Sequence, residues 1–492
     1  MNGYLMFENR AFSVDRETDE HRRNLTVDLE LEQIISAMSG GDPENGNICR
    51  SVLLTPLTDP AAIRYRQAVL SDCLRIPEMV NRLDAVCLEA EEKRRRMWCW
   101  LRSRRISASF SSALELLEIE LSALKKLRDT ADEYEAGVRS SGFRRLFSML
   151  QTVFSDAFFT DVCRLTGELS PQGGTLISAR FGDALQGVSY VLRKKDHRPW
   201  LFAPSFTLPE QDDAGAEDLL VRRERAIADS ADFLIQSAEN LSGFLAGLRE
   251  ELVFYLGAVR LFDRLCQINV PVCMPEIEPA DSDIRSWKNL CDGSLALLEN
   301  KAVVGNDREE SACRLWMITG ANQGGKTTFL RSMGQAQLMA QCGMFVCAEE
   351  MKLPVRRGVF THFPREEDGA MKQGRLDEEL SRFSRMADQL CGRAVVLLNE
   401  SCASADERAG SELLTEITRA FLDREIEVFS VTHLDRYARR FADREKTAFL
   451  RAERLENGER SYRIVGGLPG RSAFAGDIDR KIFGDGNGGG SE

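Results

Sequence analysis

The run GANQGGKT, Gly320 to Thr327, puts glycines, a lysine and a hydroxyl at the GxxxxGK[ST] spacing of a phosphate-cradling loop. Glycines let backbone N–H groups curl around anionic oxygens, and a helix start adds positive potential. The apolar run RLWMIT (Arg314 to Thr319) precedes the loop, and a helical pattern from Thr328 to Met339 follows it. That strand-to-helix setting is what the chemistry requires. Gly320, Ala321, Asn322, Gln323, Gly324, Gly325, Lys326, Thr327 and Thr328 are therefore expected to hold a nucleotide. Lys326 is expected to stand exposed to ligand and reach the β- and γ-phosphates. The Thr327 hydroxyl is expected to bind Mg²⁺, so ATP and Mg²⁺ are the implied cofactors.

A second segment, VVLLNE (Val395 to Glu400), is an apolar run that ends in two polar residues. Glu400 sits where a carboxylate could polarise an attacking water. Asn399 occupies a place suited to an acidic Mg²⁺ partner; it can still accept a hydrogen bond from a metal-bound water but brings no charge. His433 ends a third run, SVTH, at a strand C-terminus, where open α/β sheets bind ligands, and is a candidate γ-phosphate sensor.

These groups need a scaffold. From about residue 280 onward, short β-branched runs alternate with helical segments, which predicts a parallel sheet with crossover helices. Before about residue 275 the pattern is mainly helical. Leu114, Leu117, Leu121 and Leu124 share one helix face. No proline lies between Pro209 and Pro271, so one long helix or a helical hairpin is expected there. Ile177 to Phe181, Ser189 to Leu192 and Trp200 to Phe206 read as short strands within an insert at about 175–208. The tail 484–492 is low-complexity and expected to be disordered.

The chain carries 65 basic against 77 acidic residues, a net charge of −12, which argues against a purely electrostatic nucleic-acid coat. Its 13 cysteines include no CxxC pair, and 4 histidines leave little material for a zinc site. No 18-residue apolar stretch and no apolar signal region appear, so a reduced, cytoplasmic protein without membrane contact is expected.

TGANQGGKTTFLRSMGQAQLMAQCGMFVCAEE, Thr319 to Glu350, resembles the ATPase domain of the MutS family of DNA mismatch-repair proteins. NESCASADERAG (Asn399 to Gly410) lies where that family has its DE-containing motif, and VTHL (Val431 to Leu434) resembles its strand-end histidine segment. PLTDPAAIRYRQAVLSDCL (Pro56 to Leu74) is similar to the start of the family's helical core. The resemblance implies an α/β P-loop (ABC-type) ATPase domain at 280–480. Ahead of it come an N-terminal segment at 1–50 and a helical core and lever region at 51–275 carrying a small β element. Glu400 takes the catalytic glutamate's place, and His433 that of the γ-phosphate-sensing histidine. A homodimer through the ATPase domains is implied, since the family's sites are completed by a serine-bearing segment of the other subunit. Gly374 to Leu380, anchored on Glu379 and Leu380, stands at that segment without the serine, and Asp406 falls in the loop expected to cross to the partner. The core-like segment begins by about residue 50, so a short member without the family's mismatch-reading domain is expected.

The strongest nucleic-acid candidate outside the ATPase region is Lys93 to Arg105, with seven basic residues and two tryptophans in thirteen positions. Arg94, Arg95, Arg96, Arg104 and Arg105 could track phosphates, and Trp98 or Trp100 could stack on bases. A solvated helix face with tryptophans in the core competes with that reading. The leading function is an ATP-driven, dimeric clamp or switch on DNA structure or mismatches. The alternative is a nucleotide-dependent dimerising scaffold with weak or no hydrolysis, motivated by Asn399 and the missing serine. An ABC-type subunit of another machine fits less well, because no LSGGQ-like segment precedes Asn399.

Overall fold

A computed structural model describes residues 4–15, 19–101, 106–169, 176–183, 186–193, 213–365, 375–454 and 460–468; the side chains of 97–101, 168–169 and 375 lie outside the description. The chain forms two compact units. One comprises Met1–Ser13 and Ser71–Leu256, the other Val14–Leu70 and Gly257–Glu492. Sequence texture put a boundary near 275–280 and residues 51–70 with the helical region. Here residues 14–70 belong to the C-terminal unit.

In chain order that segment starts with α1 (Glu20–Asp28), α2 (Leu31–Ser39) and α3 (Pro43–Leu53) and runs into α4 (Pro60–Arg75). Asp19 caps α1 and Asp42 caps α3, each accepting a backbone N–H of the first turn.

The N-terminal unit continues with α5 (Pro77–Leu101), α6 (Ile106–Tyr134), α7 (Ser141–Val153) and α8 (Asp156–Leu169). Three ion pairs fix α5 and α6 as antiparallel: Arg82–Glu133, Glu89–Lys126 and Arg94–Glu120. As one partner's number rises, the other's falls. Leu114, Leu117, Leu121 and Leu124 are buried, as their spacing predicted. β1 (Ile177–Phe181) and β2 (Gly187–Leu192) form an antiparallel hairpin. The expected strand at Trp200 to Phe206 and the tail 484–492 lie outside the described residues. α9 (Asp213–Gln267) is one unbroken helix of 55 residues, about 80 Å at 1.5 Å per residue. Gly243, Gly247 and Gly257 do not interrupt it, because packing outweighs the roughly 1 kcal/mol propensity cost of each. Its buried Glu251 accepts the Leu5 and Met6 N–H groups at 2.5 and 3.3 Å.

The C-terminal unit contains two sheets. β3 (Glu276–Glu278), β4 (Ile284–Leu290), β5 (Asn306–Ala312) and β7 (Glu350–Pro354) form a four-stranded mixed sheet in the order β3-β7-β4-β5. β6 (Leu315–Thr319), β8 (Val359–His362), β9 (Val395–Asn399), β10 (Glu427–Val431), β11 (Thr447–Arg454) and β12 (Arg460–Gly466) form a sheet of order β12-β11-β6-β10-β9-β8. Its strands are parallel except at the β11–β12 edge. Every residue of β6, β9 and β10 is buried, which explains their continuous apolar runs. α10 (Gly293–Glu299), α11 (Lys326–Gln341), α12 (Arg375–Gln389), α13 (Glu407–Asp423) and α14 (Asp435–Arg439) complete the unit.

Buried glutamines on α11 tie residues 14–70 into this unit. Gln335 donates to Leu29 O at 3.0 Å, and Gln341 donates to Leu57 O at 2.7 Å. A buried ion cluster joins the two sheets. Glu427 of β10 accepts Arg285 from β4 at 3.0 and 2.8 Å, Arg356 at 2.8 Å and Trp316 Nε1 at 3.1 Å.

Candidate nucleotide site

β6 ends at Thr319, the loop covers 320–325, and α11 starts at Lys326. The loop needs its glycines for two reasons. Gly320 and Gly325 have φ of 119° and 89°, where side chains are strained. The β11–β12 edge also leaves no space. A Cβ on Gly324 would meet Ala452 Cβ at 2.8 Å, and one on Gly325 would meet Tyr462 O at 2.9 Å. Gln323, itself at φ 60°, accepts Arg460 Nη1 from β12 at 2.7 Å. Motif spacing does not reveal Arg460, Tyr462 or Ala452 as supports of the loop, because they belong to strands more than a hundred residues later.

Lys326 corrects one expectation. Its side chain is 4% exposed and folds back onto the loop, donating to Gly320 O at 2.8 Å and Ala321 O at 3.0 Å. Burial lowers its pKa, and the Glu400 charge opposes that shift. Ala321, Asn322 and Gln323 are exposed, while Thr327 and Thr328 are half-buried. The Thr327 hydroxyl donates to Asn399 Oδ1 at 3.1 Å, so the loop and the end of β9 meet. Glu400 follows immediately with φ 51°, and its N–H donates to Val431 O at 2.8 Å. Its Oε1 lies 2.7 Å from His433 Nε2. That hydrogen bond holds the Glu400 carboxyl below the usual range; burial opposes it, and Lys326 assists it.

Lys326, Thr327, Asn399, Glu400 and His433 are thus linked by direct contacts or charge. Thr327 Oγ1 and Asn399 Oδ1 are hard oxygen donors, the type Mg²⁺ takes, and the pair fits that ion. No cluster of three or more His, Cys, Asp or Glu suited to a metal occurs among the described residues.

Asp406 caps α13, accepting the Arg408 and Ala409 N–H groups at 3.0 Å each. Glu379 reaches within its own chain to accept the Cys402 N–H at 2.9 Å, while Gly374 lies outside the described residues.

The basic run of the N-terminal unit is partly paired. Lys93 bonds Glu89 and Arg95 bonds Glu91, each at 2.7 Å. Arg94 turns inward to the buried Glu120 and to Ser242 O, both at 3.3 Å. Arg96 is exposed; Arg104, Arg105 and the Trp98 and Trp100 side chains lie outside the description. Among the described residues no helix is long and apolar enough to cross a membrane.

A glycine loop between a buried strand and a helix, beside a carboxylate–imidazole pair from neighbouring strand ends, places the C-terminal unit in the α/β class with its candidate site at the strand ends. Residues 316–460 match the family model for MutS domain V, and residues 58–268 match that for the MutS2 N-terminal domain. The chain belongs to the MutS family. It is 32% identical over 171 residues to "Endonuclease MutS2" of Thermus thermophilus, covering 34% of this chain and 23% of that protein. It is 31% identical over 169 residues to "DNA mismatch repair protein MutS" of the same species, covering 34% and 20%. A match at 28% over 278 residues to "Endonuclease MutS2" of Lacticaseibacillus casei covers 53% and 33%. The chain thus spans a third or less of the length of these curated relatives.

Proposed function

We propose that this chain is an ATP-binding and ATP-hydrolysing switch that acts on DNA structure as a dimer closed through its C-terminal units. Membership of the MutS family supports the reading. The observation that carries it is the Glu400–His433 pair at 2.7 Å, joined to the glycine loop through the Thr327–Asn399 bond.

The chemistry follows from the contacts. Loop N–H groups and the α11 N-terminus receive the phosphates. Lys326 moves its ammonium from the loop carbonyls to phosphate oxygens. The Glu400 carboxylate, held ionised by His433, orients a water and takes its proton. Thr327 and Asn399 would hold Mg²⁺, which neutralises phosphate charge when bound. The protein would work in the cytoplasm, with DNA as partner and the helical unit as the contact.

A second reading, a nucleotide-dependent dimerising scaffold with little hydrolysis, is favoured by one observation. Asn399 is neutral and its oxygen already accepts the Thr327 hydroxyl. Phosphate release and light scattering on one preparation separate the two. The switch reading expects steady phosphate release from the parent, and a doubled mass for Glu400→Gln with ATP. A doubled mass without phosphate release selects the scaffold. A mass independent of ATP rejects both.

A further inference from the structure

The turn that carries Glu400 is strained. Glu400 and Cys402 both lie in the left-handed region, at φ 51° and 61°, and neither is glycine. Such a backbone persists only where its surroundings over-determine it. Three consecutive residues are tied. The Glu400 N–H donates to Val431 O at 2.8 Å. The Ser401 hydroxyl lies 2.8 Å from His362 Nδ1 and donates to His362 O at 3.3 Å. The Cys402 N–H donates to Glu379 Oε2 at 2.9 Å.

α12 stands behind two of those ties. Glu379 makes one directly. Phe383, one helical turn further on, stacks on the His362 ring with centroids 3.9 Å apart and planes 16° apart. Arg382 anchors the helix by donating to Phe363 O at 2.8 Å.

We propose that Glu379 is a positioning residue for Glu400: by holding the Cys402 N–H it fixes the left-handed turn that aims the Glu400 carboxylate at His433. The proposal deepens, and rests on, the hydrolysis reading above. Glu379 itself touches no reacting group. Without its carboxylate the turn relaxes toward ordinary φ, and the Glu400 carboxylate drifts from its place. A misplacement of about 1 Å costs roughly 10²-fold in rate.

Cys402 supplies a readout independent of turnover. Its side chain is fully buried, and burial, aided by the Glu379 charge, pushes the thiol up to about 12, so it is inert while the turn is closed. The test compares the full chain with Glu379→Ala, Glu379→Gln, which keeps an acceptor oxygen, and Glu379→Asp, which draws the carboxylate back by one methylene. Peptide-resolved alkylation and ATP turnover are measured on each. Glu379→Ala should lower kcat about 10²-fold with KM nearly unchanged, and should label Cys402 while the buried Cys342 and Cys347 stay protected. Glu379→Gln should recover most of the rate and the protection. Should the alanine variant unfold, labelling all three cysteines, Glu379→Asp takes its place with the same expected pattern. Parental labelling and kcat in the alanine and aspartate variants overturn the proposal. A loss of kcat that glutamine does not recover also overturns it. A parent without turnover overturns the hydrolysis reading and this catalytic role with it, and Cys402 labelling then still decides whether Glu379 holds the turn.

Discussion

His433 Nε2 lies 2.7 Å from Glu400 Oε1, so a carboxylate after β9 and an imidazole after β10 act as one hydrogen-bonded pair. The pair keeps Glu400 ionised well into mild acid, because the hydrogen bond lowers its pKa. Glu400→Gln should bind ATP as the parent does and lose turnover by about 10²–10⁴-fold. His433→Ala should move the acid limb of the kcat profile upward, toward an ordinary carboxylate. Phosphate-release assays across pH check both, and parental turnover in Glu400→Gln would assign the base elsewhere.

Lys326 is the next test. If its ammonium reaches phosphate as proposed, replacing it with alanine should lower affinity for ATP about 10–100-fold, the worth of a charge-assisted contact. The nucleotide-free protein also loses two hydrogen bonds to loop carbonyls, each about 1 kcal/mol net. At a given ATP concentration the variant's Tm should rise less than the parent's. Calorimetry showing unchanged affinity would reject the loop as the phosphate site.

Asn399→Asp restores a charge beside Thr327 while keeping an acceptor for its hydroxyl. Turnover should hold or rise, and the Mg²⁺ concentration for half-maximal rate should fall. A Mg²⁺ titration of the rate decides this, and a higher Mg²⁺ requirement would remove Asn399 from the metal shell.

Glu427 gives a stability prediction. Burial pushes its carboxyl up, yet Arg285 and Arg356 hold it down to about 2, against an ordinary 4.5. A depressed carboxyl stabilises the fold fully above its unfolded value. That contribution is lost as pH falls from about 4.5 toward 2. Glu427→Gln leaves the buried Arg285 without a counter-charge and Arg356 with only Asp283 at 3.8 Å, and should cost about 3–5 kcal/mol. Denaturant melts at pH 7 and pH 3.5 should show the gap between parent and variant shrinking in acid.

The basic run predicts a salt effect. Replacing Arg95, Arg96, Arg104 and Arg105 with serine should weaken DNA binding, flatten its salt dependence and leave ATP affinity unchanged. Arg94 belongs in a separate variant. Removing it leaves the buried Glu120, whose carboxyl burial pushes up, with the Ser242 hydroxyl but no cation, and should cost about 1–3 kcal/mol of stability. An identical salt slope for the four-residue variant would exclude this run as the contact surface.

The sequence by itself determined the parts whose physics is local. Glycine spacing, a strand before and a helix after, defined the loop at 320–327, because backbone freedom and the helix start act over adjacent residues. Short continuous apolar runs likewise identified the buried strands β6, β9 and β10, and a period of 3.6 identified the leucine face of α6. Apolar-run endings also marked Asn399, Glu400 and His433 as residues that reach one edge of a sheet.

Tertiary structure alone decided which of these meet and what holds them. The Thr327–Asn399 bond spans 72 residues, and the Arg285–Glu427 pair spans 142. Residues 14–70 join the C-terminal unit through glutamine side chains of α11, a link no periodicity records. The motif spacing predicts Lys326 exposed to ligand, yet its side chain lies buried with its ammonium donating to two loop carbonyls, since a buried ammonium needs acceptors. Glu379, which the sequence marked only as an anchor of the Gly374 to Leu380 segment, holds the Cys402 N–H of its own chain. Hydrophobic spacing encodes which face of an element is buried. The pairing of particular polar groups depends on strand order and on where each chain crossing lands, and those are properties of the folded sheet.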